Sequence, residues 1–305
     1  MQHLTTEHLY PHNIERAADI LKRGGVVAVP TETVYGLAAR IDNDEALRNV
    51  FAAKGRPSDN PLIVHCASIE QLATLVQMTP SALRLADACM PGPLTLVLEA
   101  AVPISEVVTA GLPTVAVRVP ANDVLRRLID LVGVPLAAPS ANVSGRPSPT
   151  TAAHVMEDLA GRIDAVMDGG PCRHGMESTV VDCRSVPVVL LRPGAIPASK
   201  IEHVLGHNVR RAMGSEEGSP GMRHRHYAPT ASIRLVESMA EMRQALDDAH
   251  VTRTRLCGIV PVAESLYADL RAADALNVEQ ILVLCDHTVQ ADEVLWNRLR
   301  KAIES

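Results

Sequence analysis

The run Gly25-Val-Val-Ala-Val-Pro-Thr-Glu-Thr-Val-Tyr-Gly36 sets the fold class. Its first half is an apolar run that reads as a buried strand, and at Pro30 it breaks into a loop bearing Thr31 and Thr33. Just upstream, Ile14, Ala17, Ala18, Ile20 and Leu21 carry helical spacing over 14–24, with Gly24-Gly25 as the stop. Downstream, a helix is expected over Asp44 to Lys54 and a short strand over Pro61-Leu-Ile-Val-His65. One or two helices follow over 69–90, broken at Thr79-Pro80 and ended by Pro91-Gly-Pro93. Further strands are expected at Leu94–Leu98, Thr114–Val119, Val134–Ala138, Ala165–Met167, Ser178–Asp182 and Val188–Arg192. Strands interspersed with helices in this way predict an α/β fold with a strongly twisted mixed sheet and flanking helices, not a regular doubly wound repeat.

The composition shifts after Leu205. Met213-Gly-Ser-Glu-Glu-Gly-Ser-Pro-Gly221 has the content of a linker. Beyond it, Ser232–Val236, a helix near 239–249, Leu256–Val260, a helix near 264–275 and Ile281–Cys285 alternate as a small parallel α/β unit. An amphipathic helix around 291–303 closes the chain. The expected division is a domain at 1–205, a linker or flap at 206–229 and a small Rossmann-like unit at 230–305.

The chain has 305 residues, 47% apolar and 21% charged, which excludes a disordered or collagen-like polymer. The net charge of −6 is divided as −4 from residue 230 onward and −2 before it, so the chain is no basic nucleic-acid coat. One Phe and one Trp leave little for base-stacking platforms. No apolar run is long enough to span a membrane, and residues 1–12 are polar. Six scattered cysteines without a Cys-x-x-Cys pair read as reduced thiols, mostly buried. A cytoplasmic protein is expected.

Small hydroxyl, amide and cationic residues gather where the apolar runs stop. Thr31 follows the first strand, Lys54 and Arg56 precede the second, and His65 closes it. Ser140-Ala-Asn142 follows another strand, Ser178 opens one and Arg192 ends one. Ligands of open α/β sheets collect at strand ends, and Lys, Arg and hydroxyls suit a polyphosphate. Taken singly, Lys54 and Arg56 read as solvated surface charges, His65 as a structural histidine and Ser140-Ala-Asn142 as a turn. Arg118 is different, because strand alternation puts it with Thr114 and Ala116, opposite Val115 and Val117, where a charge needs a partner or ligand. Residue spacing alone stops at an anion or nucleotide site. There is no P-loop, no G-x-G-x-x-G and no G-x-S-x-G. His224-Arg-His226 and Cys172-x-His174 are weak metal pairs.

Pro30-Thr-Glu-Thr-Val-Tyr-Gly-Leu37, the Lys54–His65 stretch, Pro91-Gly-Pro-Leu-Thr95 and Thr114-Val-Ala-Val-Arg118 together resemble the YrdC-like family of threonylcarbamoyl-AMP synthases. So do Ala138-Pro-Ser-Ala-Asn142, Arg146-Pro-Ser-Pro-Thr150, Glu177-Ser-Thr179, Leu191-Arg-Pro-Gly194 and Ser219-Pro-Gly-Met-Arg-His-Arg-His-Tyr-Ala-Pro229. The last motif with a following α/β unit resembles the two-domain Sua5-type branch, although residues 230–305 look one or two βα elements short of it. The resemblance implies condensation of L-threonine, bicarbonate and ATP into threonylcarbamoyl-AMP and pyrophosphate, the first step of the t6A modification of tRNA. It assigns ATP to Lys54, Arg56, Ser58, Thr114, Ser140, Asn142, Ser148, Arg192 and Tyr227, with Lys54, Arg56, Ser140 and Asn142 gripping the phosphates. It assigns L-threonine to Thr31, His65, Arg118, Ala138 and Ser178. Tyr227 would lie on a flap that shields the product from water. Mg²⁺ would arrive with ATP rather than on a side-chain cluster, and no organic cofactor is implied. A downstream tRNA threonylcarbamoyl transferase complex would take the product, with at most weak direct contact to tRNA.

Two other readings remain open at this point. Related domains make carbamoyl-adenylate inside longer proteins with zinc fingers, which this chain lacks. A non-catalytic RNA-binding module is the other, since a charge of −2 over the first 229 residues still leaves room for a local basic patch.

Overall fold

The computed structural model describes residues 5–212 and 227–303. These fall into two compact units, one of residues 5–144 and 149–212, the other of 145–148 and 227–303. Most of the expected flap, including His224 and His226, lies outside the described residues. Its described start instead carries a short strand.

The first unit holds β1 (Glu7–Leu9), β2 (Val27–Val29), β3 (Gly36–Arg40), β4 (Ile63–His65), β5 (Leu94–Glu99), β6 (Thr114–Arg118), β7 (Leu136–Ala137), β8 (Ala165–Met167), β9 (Thr179–Asp182), β10 (Val189–Arg192) and β11 (Arg210–Arg211). They form one twisted sheet in the order β1-β8-β2-β3-β7-β4-β6-β5-β9-β10-β11. Parallel and antiparallel pairs are mixed within it: β2 runs antiparallel to β3, β4 parallel to β6, β5 antiparallel to β6, and β5 parallel to β9. This is the mixed sheet expected from the sequence.

Period-two alternation sorts each strand onto two cores. Val115, Val117 and Val119 join Leu37, Val64 and Leu96 on one side, while Ala116 packs with Ile63, Val97 and Val180 on the other. Helix Asp44–Lys54 starts on Asn43, whose side chain accepts from Ala46 N, and stops at Gly55 in the left-handed conformation. That stop fixes Lys54 in the last turn.

The second unit contains β12 (Ser232–Val236), β13 (Leu256–Ile259) and β14 (Gln280–Leu284), all parallel with β14 central, and helices Met239–Thr252, Leu266–Ala275, His287–Ala291 and Glu293–Ile303. Among the described residues no helix is long and apolar enough to cross a membrane.

Candidate functional site

The loop between the antiparallel strands β2 and β3 folds on the Thr31 hydroxyl. Thr31 Oγ1 accepts from the backbone N–H of Thr33 and Val34, donates to Val34 O at 2.6 Å, and lies 2.7 Å from Thr33 Oγ1. Arg118, at the end of β6, reaches this loop. Its Nη1 donates to Thr33 Oγ1 at 3.0 Å, its Nε donates to Gly92 O at 3.1 Å, and its Nη2 stands 2.6 Å from Glu32 Oε1. Glu32 Oε1 also accepts from Ala121 N. Both side chains of this ion pair are buried, Arg118 being 3% and Glu32 8% exposed. Burial pushes the Glu32 carboxyl up, but the Arg118 charge and the Ala121 N–H outweigh it and hold the group below its ordinary range. The alternation argument for Arg118 therefore holds: the charge has a partner. Glu32 was not singled out from sequence, although it stands in the decisive stretch.

His65 is the Cα partner of Arg118 across β4 and β6. Burial, and then the Arg118 charge, lower its pKa to about 3, so the ring is neutral at pH 7, with Nδ1 3.2 Å from Ile63 O. Ala138 is seated beside it by its N–H on Ile63 O. The same segment pairs with the loop end of β3: Leu37 N donates to Pro139 O, Ala141 N donates to Tyr35 O, and Gly36 and Ser140 form a bridge. Ser140 and Asn142 are thereby fixed beside the Thr31–Val34 loop.

Lys54 is only 2% exposed, which overturns its reading as a solvated charge. Its Nζ donates to Ser140 O at 2.5 Å and to Asn142 O at 2.6 Å. The ammonium is thus a point charge pinned to the Ser-Ala-Asn turn, from a helix 86 residues away in sequence. Arg56 is half-buried and donates to Asn60 O and Pro61 O.

A third cluster continues from Gly92. In the Pro91–Thr95 stretch, Pro93 O accepts from Thr179 N, and Thr95 Oγ1 lies 2.8 Å from Ser178 Oγ. Arg192 Nη2 donates to Ser178 O at 2.9 Å and to Ser178 Oγ at 3.2 Å. Gly194 sets that distance, because a Cβ there would stand 2.5 Å from Glu177 O and Thr179 N. Thr33 and Thr95 are the other partners that sequence reasoning left unassigned; both stand within the quoted motifs.

The structure so brings Thr31, His65, Arg118, Ala138, Lys54, Ser140, Asn142, Ser178 and Arg192 into one chain of contacts. Others stand apart. Thr114 is at the opposite end of β6 from Arg118. Ser58 is exposed in the 55–60 loop. Ser148 and Tyr227 belong to the second unit. Among the described residues no three His, Cys, Asp or Glu side chains gather as metal ligands do. Instead, the backbone N–H of His174 donates to Glu32 O and that of Cys172 to Thr150 O. All six cysteines are free, three buried and three half-buried.

Residues 19–194 match the profile of the Sua5/YciO/YrdC family, whose description reads "Telomere recombination", and residues 196–303 match that of the threonylcarbamoyl-AMP synthase C-terminal domain. The chain is 40% identical over 324 residues to threonylcarbamoyl-AMP synthase of Pyrococcus abyssi, covering 97% of this chain and 95% of that protein. It is 41% identical over 319 residues to the Bacillus subtilis enzyme of the same name, covering 95% and 92%. The crystal structure of P. abyssi Sua5 complexed with L-threonine superposes with a TM-score of 0.89 at 39% identity, covering 98% of this chain and 97% of that one.

Proposed function

The chain belongs to the Sua5/YciO/YrdC family, and from that premise we infer that it makes threonylcarbamoyl-AMP, the first step toward t6A in tRNA. The observation that carries the inference is the match, along nearly the whole chain, to relatives named for this activity. L-threonine is the amino-acid substrate, in keeping with the threonine complex of the P. abyssi relative. Bicarbonate and Mg–ATP are the co-substrates we propose.

In this reading the threonine nitrogen takes up the carbon of bicarbonate, with loss of water. A carbamate oxygen then attacks the α-phosphorus, and the bond to the β,γ-pyrophosphate breaks. The substrate supplies the nucleophile, so the protein needs to orient and to stabilise charge rather than to form a covalent bond. Arg118 uses one N–H on Gly92 O and one on Thr33, and holds Glu32 through Nη2. With five N–H groups in all, it keeps capacity for the threonine carboxylate. The threonine nitrogen reacts as the free amine; neutral His65 adds no charge at the threonine end, which it completes with Thr31, Ala138 and Ser178.

Lys54, with its ammonium pinned by two carbonyls, presents a fixed positive charge to the phosphates. Arg56 and the side chains of Ser140 and Asn142 are assigned to the phosphates with it, and Ser58, Thr114, Ser148, Arg192 and Tyr227 are assigned to the rest of the nucleotide. Mg²⁺ enters as part of the nucleotide substrate. The product is a labile mixed anhydride, which fits a cytoplasmic hand-over to a tRNA-modifying transferase.

The test is identification of the product. Incubation with Mg–ATP, threonine and ¹³C-bicarbonate yields an adenylate whose mass carries both threonine and the label. Unlabelled AMP alone would overturn the assignment.

A further inference from the structure

Helix Leu266–Ala275 of the second unit places Tyr267, Arg271 and Asp274 at i, i+4 and i+7, on one face. Each of the three holds a different stretch of chain. The Tyr267 ring stacks on Tyr227, with centroids 5.2 Å apart and planes 24° apart. Arg271 Nη2 donates to Pro147 O at 2.6 Å. Asp274 accepts from the N–H of Thr230 and Ala231. From the last helix, the fully buried Arg298 donates Nε to the Tyr267 hydroxyl at 3.2 Å and sets its Cζ 5.4 Å from the Tyr227 ring. The two stretches are also tied to each other, since Ala228 N donates to Gly145 O at 2.9 Å. All of these residues lie within the second unit.

Tyr227 has a φ of 68°, a left-handed backbone that a tyrosine keeps only where its surroundings impose it. A stacked ring, a buried guanidinium and a neighbouring backbone hydrogen bond are what impose it here. Burying two arginines, Arg271 and Arg298, is costly unless they are hydrogen-bonded, and their bonds to Pro147 O, the Tyr267 hydroxyl and Asn297 Oδ1 hold both in place.

We propose that Tyr267, Arg271 and Arg298 are positioning residues for the nucleotide. The C-terminal unit serves the reaction by fixing the Tyr227 ring and the Pro147–Ser148 backbone before ATP arrives, so that binding does not have to order them. The inference rests on the reading of Tyr227 and Ser148 as ATP contacts.

The experiment measures steady-state pyrophosphate release by the full chain carrying Arg298→Lys, Tyr267→Phe or Tyr227→Ala. Arg298→Lys keeps the charge but loses the planar fork, and Tyr267→Phe removes only the oxygen that receives Arg298 Nε. The expected result is a KM for Mg–ATP raised about tenfold by Arg298→Lys and about threefold by Tyr267→Phe. The KM for threonine and kcat at saturating ATP stay unchanged, a split that general loss of folded protein would not produce. Parallel changes in both KM values, or an unchanged KM for ATP, overturn the proposal. Should Arg298→Lys fail to fold, Tyr267→Phe decides alone. Tyr227→Ala separates the two layers. If it raises the KM for ATP while the other two variants do not, positioning by the C-terminal unit fails and the ATP reading stands. If it too leaves that KM unchanged, the ATP reading of Tyr227 fails and takes the proposal with it.

Discussion

Arg118 and Glu32 form a buried ion pair at 2.6 Å, with the carboxylate also holding Ala121 N and the guanidinium also holding Thr33 and Gly92. Such a pair costs desolvation on both sides, and removing one partner typically destabilises by about 3–5 kcal/mol because the other charge is left uncompensated. Its value here is orientation: three partners, Glu32 and Thr33 from one loop and Gly92 from another, leave Arg118 one pose. Glu32→Gln keeps the shape and removes the charge. The KM for threonine should rise roughly tenfold or more while that for ATP moves little, as measured by pyrophosphate release. An unchanged KM for threonine would show that Arg118 is oriented without Glu32.

The neutral His65 predicts a pH dependence of stability. Its native pKa is about 3 against 6.5 in the unfolded chain, so between these values the unfolded state binds a proton that the native state does not. The contribution is complete above pH 6.5 and is lost as pH falls, at about 1.4 kcal/mol per pH unit. Glu32, whose native pKa is also lowered, adds to the loss only below its ordinary 4.5. Urea unfolding between pH 6.5 and 5 should therefore show a shallower dependence in His65→Gln than in the wild type. Parallel curves would place a protonated histidine in the native site.

Much of this fold was legible in the sequence because its elements are punctuated. Helix Asp44–Lys54 and strand Ser232–Val236 fall where expected, between Asn or Ser caps and Gly or Pro stops. The strand Gly36–Arg40 was missed because Gly-Leu-Ala-Ala-Arg has no β-branched residue; it becomes a strand by tertiary pairing with β2 and β7. The strand Glu7–Leu9 is short, half polar and made a strand by tertiary pairing with β8. Helix Asp123–Val132, outside the elements expected from sequence, carries such signals in its Asn122 cap and Gly133 stop. For the site, residue types at strand ends pointed to the right neighbourhood. Partners did not show, because Lys54 meets carbonyls 86 and 88 residues away and Arg118 meets a carboxylate on another loop. Local spacing carries no record of such pairs.

Lys54 is expected to matter twice. Lys54→Met removes a charged donor from Ser140 O and Asn142 O, and each such hydrogen bond is worth about 1.5–3 kcal/mol. It also removes the fixed charge proposed for the phosphates, so kcat/KM for ATP should fall by roughly 10²-fold or more. Chemical denaturation and pyrophosphate release separate the two effects. A destabilised variant with normal kcat/KM would confine Lys54 to holding the turn.

Gly194→Ala tests the close approach of the Arg192 loop to β9. A Cβ would meet Glu177 O and Thr179 N at 2.5 Å, and both are backbone atoms that cannot swing aside. The loop must back away, taking Arg192 from Ser178, at a cost of about 3 kcal/mol. The melting temperature and activity should fall together. Wild-type behaviour of both would mean that the loop is not packed as described.

The central claim is tested most directly by pyrophosphate release from Mg–ATP by the purified chain, with threonine and bicarbonate omitted in turn. Release that requires both is the predicted result, because the carbamate formed from the two is the nucleophile. Release in the absence of either, or none with all three present, would contradict the account.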